Sequence, residues 1–291
     1  MFEWIETAAG SLFFIFDAQK RIYWLYLLSS LILAVCIKDR QLFAPSLWLN
    51  CSSKMDLIWL IINQCLTKLL ILPLFTLQVS LALAVKHGLS ELFGSGNFFL
   101  IKDLFLSCLF ALLLFVGHDF SKFLVHLLFH KITFLWRFHA VHHSASTMTP
   151  LTLYRIHPVE LLVNTLRSLT TASLISGLFI YLFKNNISVF DLLGVNLFVF
   201  IFNLCGSNLR HSPVWLGFGK WERLFISPAQ HQIHHSARSR HFDKNFGSAL
   251  SIWDGWFETL MLSKNEQVES FGLDQSRVNR QSFKQQWLGV R

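Results

Sequence analysis

The sequence predicts an all-α fold: about four to five membrane-spanning helices, with a histidine-rich helical cap on their cytoplasmic face. Composition and the placement of charge lead there. Apolar residues make up 53% of the 291, with 30 Phe, 10 Trp and a mean hydropathy of +0.46, above the usage of globular proteins. Only 14% of residues are charged, and they fall between the apolar runs, as happens when hydrocarbon excludes polar groups.

Runs of spanning or near-spanning length cover residues 22–37, 57–85, 98–117, 161–183 and 187–205. The first is short. The second carries Asn63, Gln64, Lys68 and Pro73, so it is expected as one tilted helix or as a broken, partly interfacial one. The last two are joined only by Lys184, Asn185 and Asn186, which predicts a tight antiparallel hairpin returning the chain to the face it left. The two polar, histidine-rich segments that flank this hairpin, 119–158 and 206–245, then share one face. That face carries Lys122, Arg137, Arg155, Arg210 and Lys244 among other cations, against Lys184 at the far end, and the positive-inside rule places it in the cytoplasm.

The net charge of +8 follows from this sorting and fits anionic lipid headgroups. Nucleic acid is excluded as a partner, because the cations flank apolar spans and form no dense stripe. The five cysteines, Cys36, Cys51, Cys65, Cys108 and Cys205, form no CxxC pair and imply neither disulfides nor a cysteine metal site. Lys20 and Arg21 follow the apolar stretch 12–16 and do not precede it, so no cleavable leader is expected and the first helix stays.

Eight of the 13 histidines fall into three clusters: His126/His130, His139/His142/His143 and His231/His234/His235. On a helix, residues i, i+3 and i+4 share a face, so each HxxHH is expected to present three imidazoles inward. Roughly 0.03 HxxHH matches would arise by chance at this histidine frequency, and on the order of 0.0003 double matches. A merely solvated or hydrogen-bonded face is the bland alternative for any single histidine. Crowding argues against it here, because eight charged imidazoles would repel, whereas neutral ones bound to cations are stabilised. All-imidazole sites suit zinc, copper, iron or nickel, and the ligand number exceeds one coordination sphere, which points to two metal ions.

Five motifs extend the pattern: HDFSKFLVHLLFH (118–130), LWRFHAVHHS (135–144), RIHPVE (155–160), SPAQHQIHHS (227–236) and DKNFGSALSIWD (243–254). In order and spacing the stretch 118–260 resembles the fatty acid hydroxylase/sterol desaturase superfamily of integral-membrane, non-haem di-iron proteins. The resemblance divides the chain into an N-terminal membrane-helix region 1–117, a catalytic region 118–260 that includes the hairpin 161–205, and a polar tail 261–291. It implies that His126, His130, His139, His142, His143, His231, His234 and His235 hold two iron ions, with zinc able to replace iron in purified protein. His211, just before GKWE (219–222), joins them by its interval. His157, in RxHPxE, is a further ligand or orients one. Asn208, Asn245, Asp119, His118 and His241 are candidates as further ligands or for holding the ligand imidazoles. Similar proteins often read HR at the first box and WDxxFGT near the end, whereas here Leu127 follows His126 and Glu258 stands in place of the Gly.

The same resemblance implies that O2 is used to hydroxylate or desaturate a lipid drawn from the bilayer. Electrons would come from an external donor such as a cytochrome or ferredoxin, because the chain has no GxGxxG, CxxCH or iron–sulfur cysteine pattern. Three other readings compete, and one of them, a bis-histidine haem protein, needs only two axial ligands per haem where three boxes supply more. A metal transporter should carry its polar ligands inside the spans, and here they lie outside. A membrane zinc hydrolase would use Glu160 or Asp119 as its base.

Overall fold

The computed structural model describes residues 10–37, 41–184, 191–192, 195–273 and 283–289. It is mostly helical. The principal helices are α1 (Trp24–Cys36), α2 (Cys51–Leu66), α3 (Leu77–Phe93), α4 (Asp103–Lys131), α5 (Thr133–His143), α6 (Pro158–Leu182), α7 (Leu197–Leu204), α8 (Pro228–His234), α9 (Ile252–Trp256) and α10 (Phe283–Trp287). The departure from an all-α fold is a ribbon of two-residue strands, β1 (Asp191–Leu192) and β2 (Val195–Asn196), paired antiparallel.

Among the described residues two helices, α4 and α6, are long and apolar enough to cross a membrane. With 29 residues, α4 reaches about 43 Å at a rise of roughly 1.5 Å per residue, which exceeds the ~30 Å of bilayer hydrocarbon. Its N-terminal half exposes Leu104, Phe105, Leu112 and Leu113, and its C-terminal third carries His126 and His130. One continuous helix thus links an apolar surface to the histidine region. In α6, Leu162, Leu166, Leu174 and Leu178 form an exposed stripe at helical spacing, a surface that suits lipid better than water.

The remaining predicted spans take other forms. The first becomes the 13-residue α1, packed through Tyr26 on Phe200 of α7. The 57–85 run is broken, one of the forms expected of it: α2 passes into a π-turn over Thr67–Ile71 and then α3. Pro73 lies just beyond that turn and offers no N–H to the preceding one, so the helical ladder cannot run through unchanged. The 187–205 run was expected as a full span. Its described residues instead form the ribbon and the eight-residue α7, too short to cross. Asn196 begins that helix by accepting from Phe198 N (3.1 Å), and its amide donates to Ala111 O (2.8 Å).

Close packing of α6 on α3 depends on Gly177, where an added Cβ would lie 2.5 Å from Ala82 O. Small residues allow such approach where no hydrophobic force drives helices together in lipid. The tail is docked through α10: Trp59 Nε1 of α2 donates to Gln286 Oε1 (2.8 Å), and the Trp59 and Trp287 rings stack.

Candidate metal centre

Ile132, in extended conformation (φ −99°, ψ 111°), ends α4 and redirects the chain into α5, which sets the first two boxes side by side. Gly206, at φ +80°, turns the chain after α7 into a 3-10 segment, Ser207–His211, that ends on His211. The third box lies on α8, started by a capping box in which Ser227 N donates to Gln230 Oε1 (3.0 Å) and Gln230 N to Ser227 Oγ (3.1 Å).

These elements gather nine histidines into two clusters. His126, His130, His139, His143 and His234 form one, and His142, His211, His231 and His235 the other, with candidate ligand atoms inside each within 4.8 Å of one another. Each HxxHH serves both. The i and i+4 imidazoles of α5 join the first cluster and its i+3 imidazole the second, while α8 does the converse. At about 100° per residue, i+4 lies roughly 40° to one side of i and i+3 roughly 60° to the other, so the two positions diverge. His143 and His235 stack at 4.4 Å where the clusters meet.

Burial, followed by the neighbouring imidazoles, sets the protonation. It pushes His142 and His234 down to about 3, and His143, His211, His231 and His235 well below 6.5. They are therefore neutral at pH 7. His126 Nδ1 donates to Phe246 O (2.8 Å), His234 Nδ1 to Lys244 O (2.8 Å) and His142 Nδ1 to Arg155 O (3.3 Å). His139 Nδ1 lies 3.0 Å from Glu160 Oε2, and His130 Nδ1 lies 3.6 Å from Asp243 Oδ1. The three hydrogen bonds to carbonyls fix the tautomer that leaves Nε2 with a lone pair, and the two carboxylates favour the same one.

Those Nε2 atoms face one another. His126 and His139 approach to 3.0 Å, His211 and His231 to 3.1 Å, and His142 and His211 to 3.4 Å, while buried Nε2 atoms of His130, His143, His234 and His235 have no hydrogen-bond partner. Facing lone pairs repel unless a cation lies between them. Nitrogens bound at about 2.0–2.1 Å would stand roughly 2.9–3.4 Å apart along the edges of an octahedral or tetrahedral shell. The donor set fits a pair of metal ions.

The side chains of the other sequence candidates have other partners, or lie outside both clusters. Asn245 Nδ2 donates to Gln230 O and its Oδ1 accepts from Met261 N, while Asn208 Nδ2 donates to Arg21 O. Neither side chain turns to an imidazole. Asp119 accepts from Ala249 N, Leu250 N and Trp253 Nε1, and so anchors the 248–253 loop. His157 caps α6, its Nδ1 accepting from Val159 N and its Nε2 donating to Trp287 O. His241 pairs with Glu266 at 3.1 Å. His118 stands outside both clusters, and its carbonyl accepts from Arg167.

The groups that do orient the ligands are mostly backbone carbonyls, which carry no sequence signature. Asn245, at φ +59°, turns the chain so that the carbonyls on either side of it reach His234 and His126. Asp254 holds that turn, accepting from Phe246 N (2.7 Å) and Gly247 N (2.8 Å). Arg155, whose carbonyl meets His142, is fixed by its ion pair with fully buried Asp56 (2.7 Å). Glu160, weighed from sequence only as a hydrolytic base, faces His139. A cavity of about 250 Å³ opens beside the clusters, lined by His126, His139, His142, His211 and His231 together with Val125, Phe129, Leu153, Ile156 and Leu161.

Residues 111–259, just over half of the chain, match the fatty acid hydroxylase family. Among curated proteins the chain is 29% identical to an ornithine lipid hydroxylase of Rhizobium tropici, over 47% of this chain and 37% of that protein. It is 28% identical to the alkylglycerol monooxygenase of Homo sapiens, over 53% of this chain and 31% of the other, and 25% identical to that of Caenorhabditis elegans, over 58% and 30%. The chain thus spans about a third of the length of these relatives. No solved structure matches it.

Proposed function

The chain belongs to the fatty acid hydroxylase family, and on that premise we propose that it is a membrane-bound oxidoreductase using O2 and two histidine-held iron ions to hydroxylate a lipid. The observation that carries this reading is the division of nine imidazoles, seven of them buried, into two clusters with inward-facing Nε2 atoms. The relatives named as a lipid hydroxylase and as monooxygenases support hydroxylation over desaturation.

When bound, the iron pair supplies O2 activation and the oxidising power to break a C–H bond. The protein's own groups do the rest. Phe246 O, Lys244 O, Arg155 O and Glu160 hold the imidazoles in the metal-binding tautomer and orientation. Apolar cavity walls from Val125, Phe129, Leu153 and Ile156 keep water from the reacting carbon. Electrons come from a separate donor such as a cytochrome or ferredoxin, and the histidine face lies in the cytoplasm. A zinc hydrolase lacks support, because Asp119 already accepts three N–H groups and Glu160 faces His139.

Protein purified without oxygen and loaded with ferrous iron is expected to hold about two ions per chain, since nine nitrogens exceed the six donors of one octahedral ion. With a reductant and 18O2, product lipid should carry one 18O. Full activity with a single ion would overturn the dinuclear reading, and product without 18O would overturn the oxygenase.

A further inference from the structure

Next to the histidine-lined cavity lies a second one, of about 400 Å³, and the two share Lys122, Arg167 and Ser248 in their walls. Arg210 lines the first and Arg21 the second, so four cations converge on the junction. Among the described residues none of the four pairs with a carboxylate. Asp119, the acid in the second cavity's wall, has its oxygens taken by Ala249 N, Leu250 N and Trp253 Nε1. Glu160, the acid in the first, faces His139.

The three arginines are held by hydrogen bonds, and two of them keep a donor free. Arg210, 3% exposed, donates to the carbonyls of Ser207 and Ser248, and its guanidinium lies over the Phe202 ring. Arg167 donates to His118 O and Ser121 Oγ, and Arg21 to Ser207 O, but the buried Nε atoms of both have no partner. Arg210 is buried and Arg21 and Arg167 half-buried. Asp119 and Glu160 offer two carboxylates against the four cations, so excess positive charge stands at the junction and an anion there would balance it. Away from the cations the second cavity is mixed, with Leu114, Phe115, Val199 and Phe202 beside Asn196 and Asn203 in its walls.

We propose that the junction binds the anionic head, a phosphate or carboxylate, of the lipid substrate, holding a carbon only a few bonds from that head against the metal cluster. This rests on the lipid-hydroxylase reading and deepens it. Guanidinium forks match the oxygens of both anions, and Lys122 adds a point charge. The shared chemistry is an oxyanion, which free inorganic phosphate would also offer.

Titration calorimetry separates these sources, using the full chain in phosphatidylcholine nanodiscs against empty discs, with dodecyl phosphate, dodecanol and inorganic phosphate as probes. Dodecyl phosphate is expected to bind at one site per chain, at least tenfold more tightly than dodecanol. Arg167→Gln and Arg210→Gln should each weaken it roughly tenfold or more, leaving dodecanol unchanged, and Arg167→Lys should retain part of the affinity. Equal affinity for dodecyl phosphate and dodecanol would overturn the proposal, as would variants with wild-type affinity and helicity. Inorganic phosphate binding as tightly as dodecyl phosphate would overturn the lipid-head assignment. The measurement needs neither iron nor O2. Loss of iron binding alone would therefore sink the oxygenase and leave this site standing, and loss of phosphate binding alone would do the reverse.

Discussion

Replacing Glu160 with glutamine keeps the shape of the side chain beside His139 and removes its charge. Glu160 Oε2 lies 3.0 Å from His139 Nδ1, and both residues are buried. Hydrogen bonds to charged groups contribute roughly 1.5–3 kcal/mol and neutral ones about 0.5–1.5, so Glu160→Gln should weaken His139 as a ligand by about 1–1.5 kcal/mol. That is roughly five- to thirteen-fold in iron affinity. Glu160→Ala also leaves a buried N–H unpaired, adding about 1–3 kcal/mol, for a total of roughly 30-fold or more. The assay is competition between protein and a ferrous chelator under argon, with stoichiometry followed by metal analysis. Both variants should still bind two ions at saturation, because Glu160 acts through His139. Affinities within twofold of wild type for both would refute the argument, and a lost ion in Glu160→Gln would make Glu160 itself a ligand.

His235→Ala should lose metal and lipid oxidation while His87→Ala, on exposed α3, loses neither; metal analysis and lipid mass spectrometry check this, and wild-type behaviour of His235→Ala would dismantle the box assignment. Glu258 occupies the position where similar proteins carry glycine and sits at φ +60°, so Glu258→Gly should raise stability by roughly 1 kcal/mol in chemical denaturation. Stability of the metal-free protein should fall as pH drops below 6.5 toward 3: the folded state keeps His142 and His234 neutral down to about 3, whereas the unfolded chain protonates them near 6.5. A flat profile across that window contradicts the neutral-imidazole assignment. A cysteine at exposed Ser239 should escape impermeant reagents in intact cells, while one at Asn185, which lies outside the described residues, should react; the reverse pattern inverts the orientation.

The histidine boxes were legible because ligand spacing on a helix is a local property. Their division between two clusters was not, since it depends on the small angular offset of His142 from His139 and His143 and on what faces each helix. Asn208 and Asn245 looked like partners for imidazoles because only side chains can be read from a sequence; the partners are the carbonyls of Lys244, Phe246 and Arg155, which any residue could supply. Glu258 posed a question that its positive φ answers: glycine is the strain-free residue there. Hydropathy located the apolar runs but not their continuity. Pro73 and Asn196 break two of them through a missing N–H and a capping amide, effects of single residues that a window average smooths away.

Because α4 is apolar at one end and bears His126 and His130 at the other, it acts as a rigid rod with one end seated in the bilayer. A thicker or thinner membrane shifts or tilts such a rod to keep its apolar length covered. His139 and His143 follow on α5 through Ile132, whereas His234, which completes the same cluster, hangs on α8, much further along the chain. The spacing among the five nitrogens, and with it the grip on metal, thereby becomes a gauge of the lipid around the protein, so acyl-chain length and sterol content would tune this chain even where they never enter its cavity.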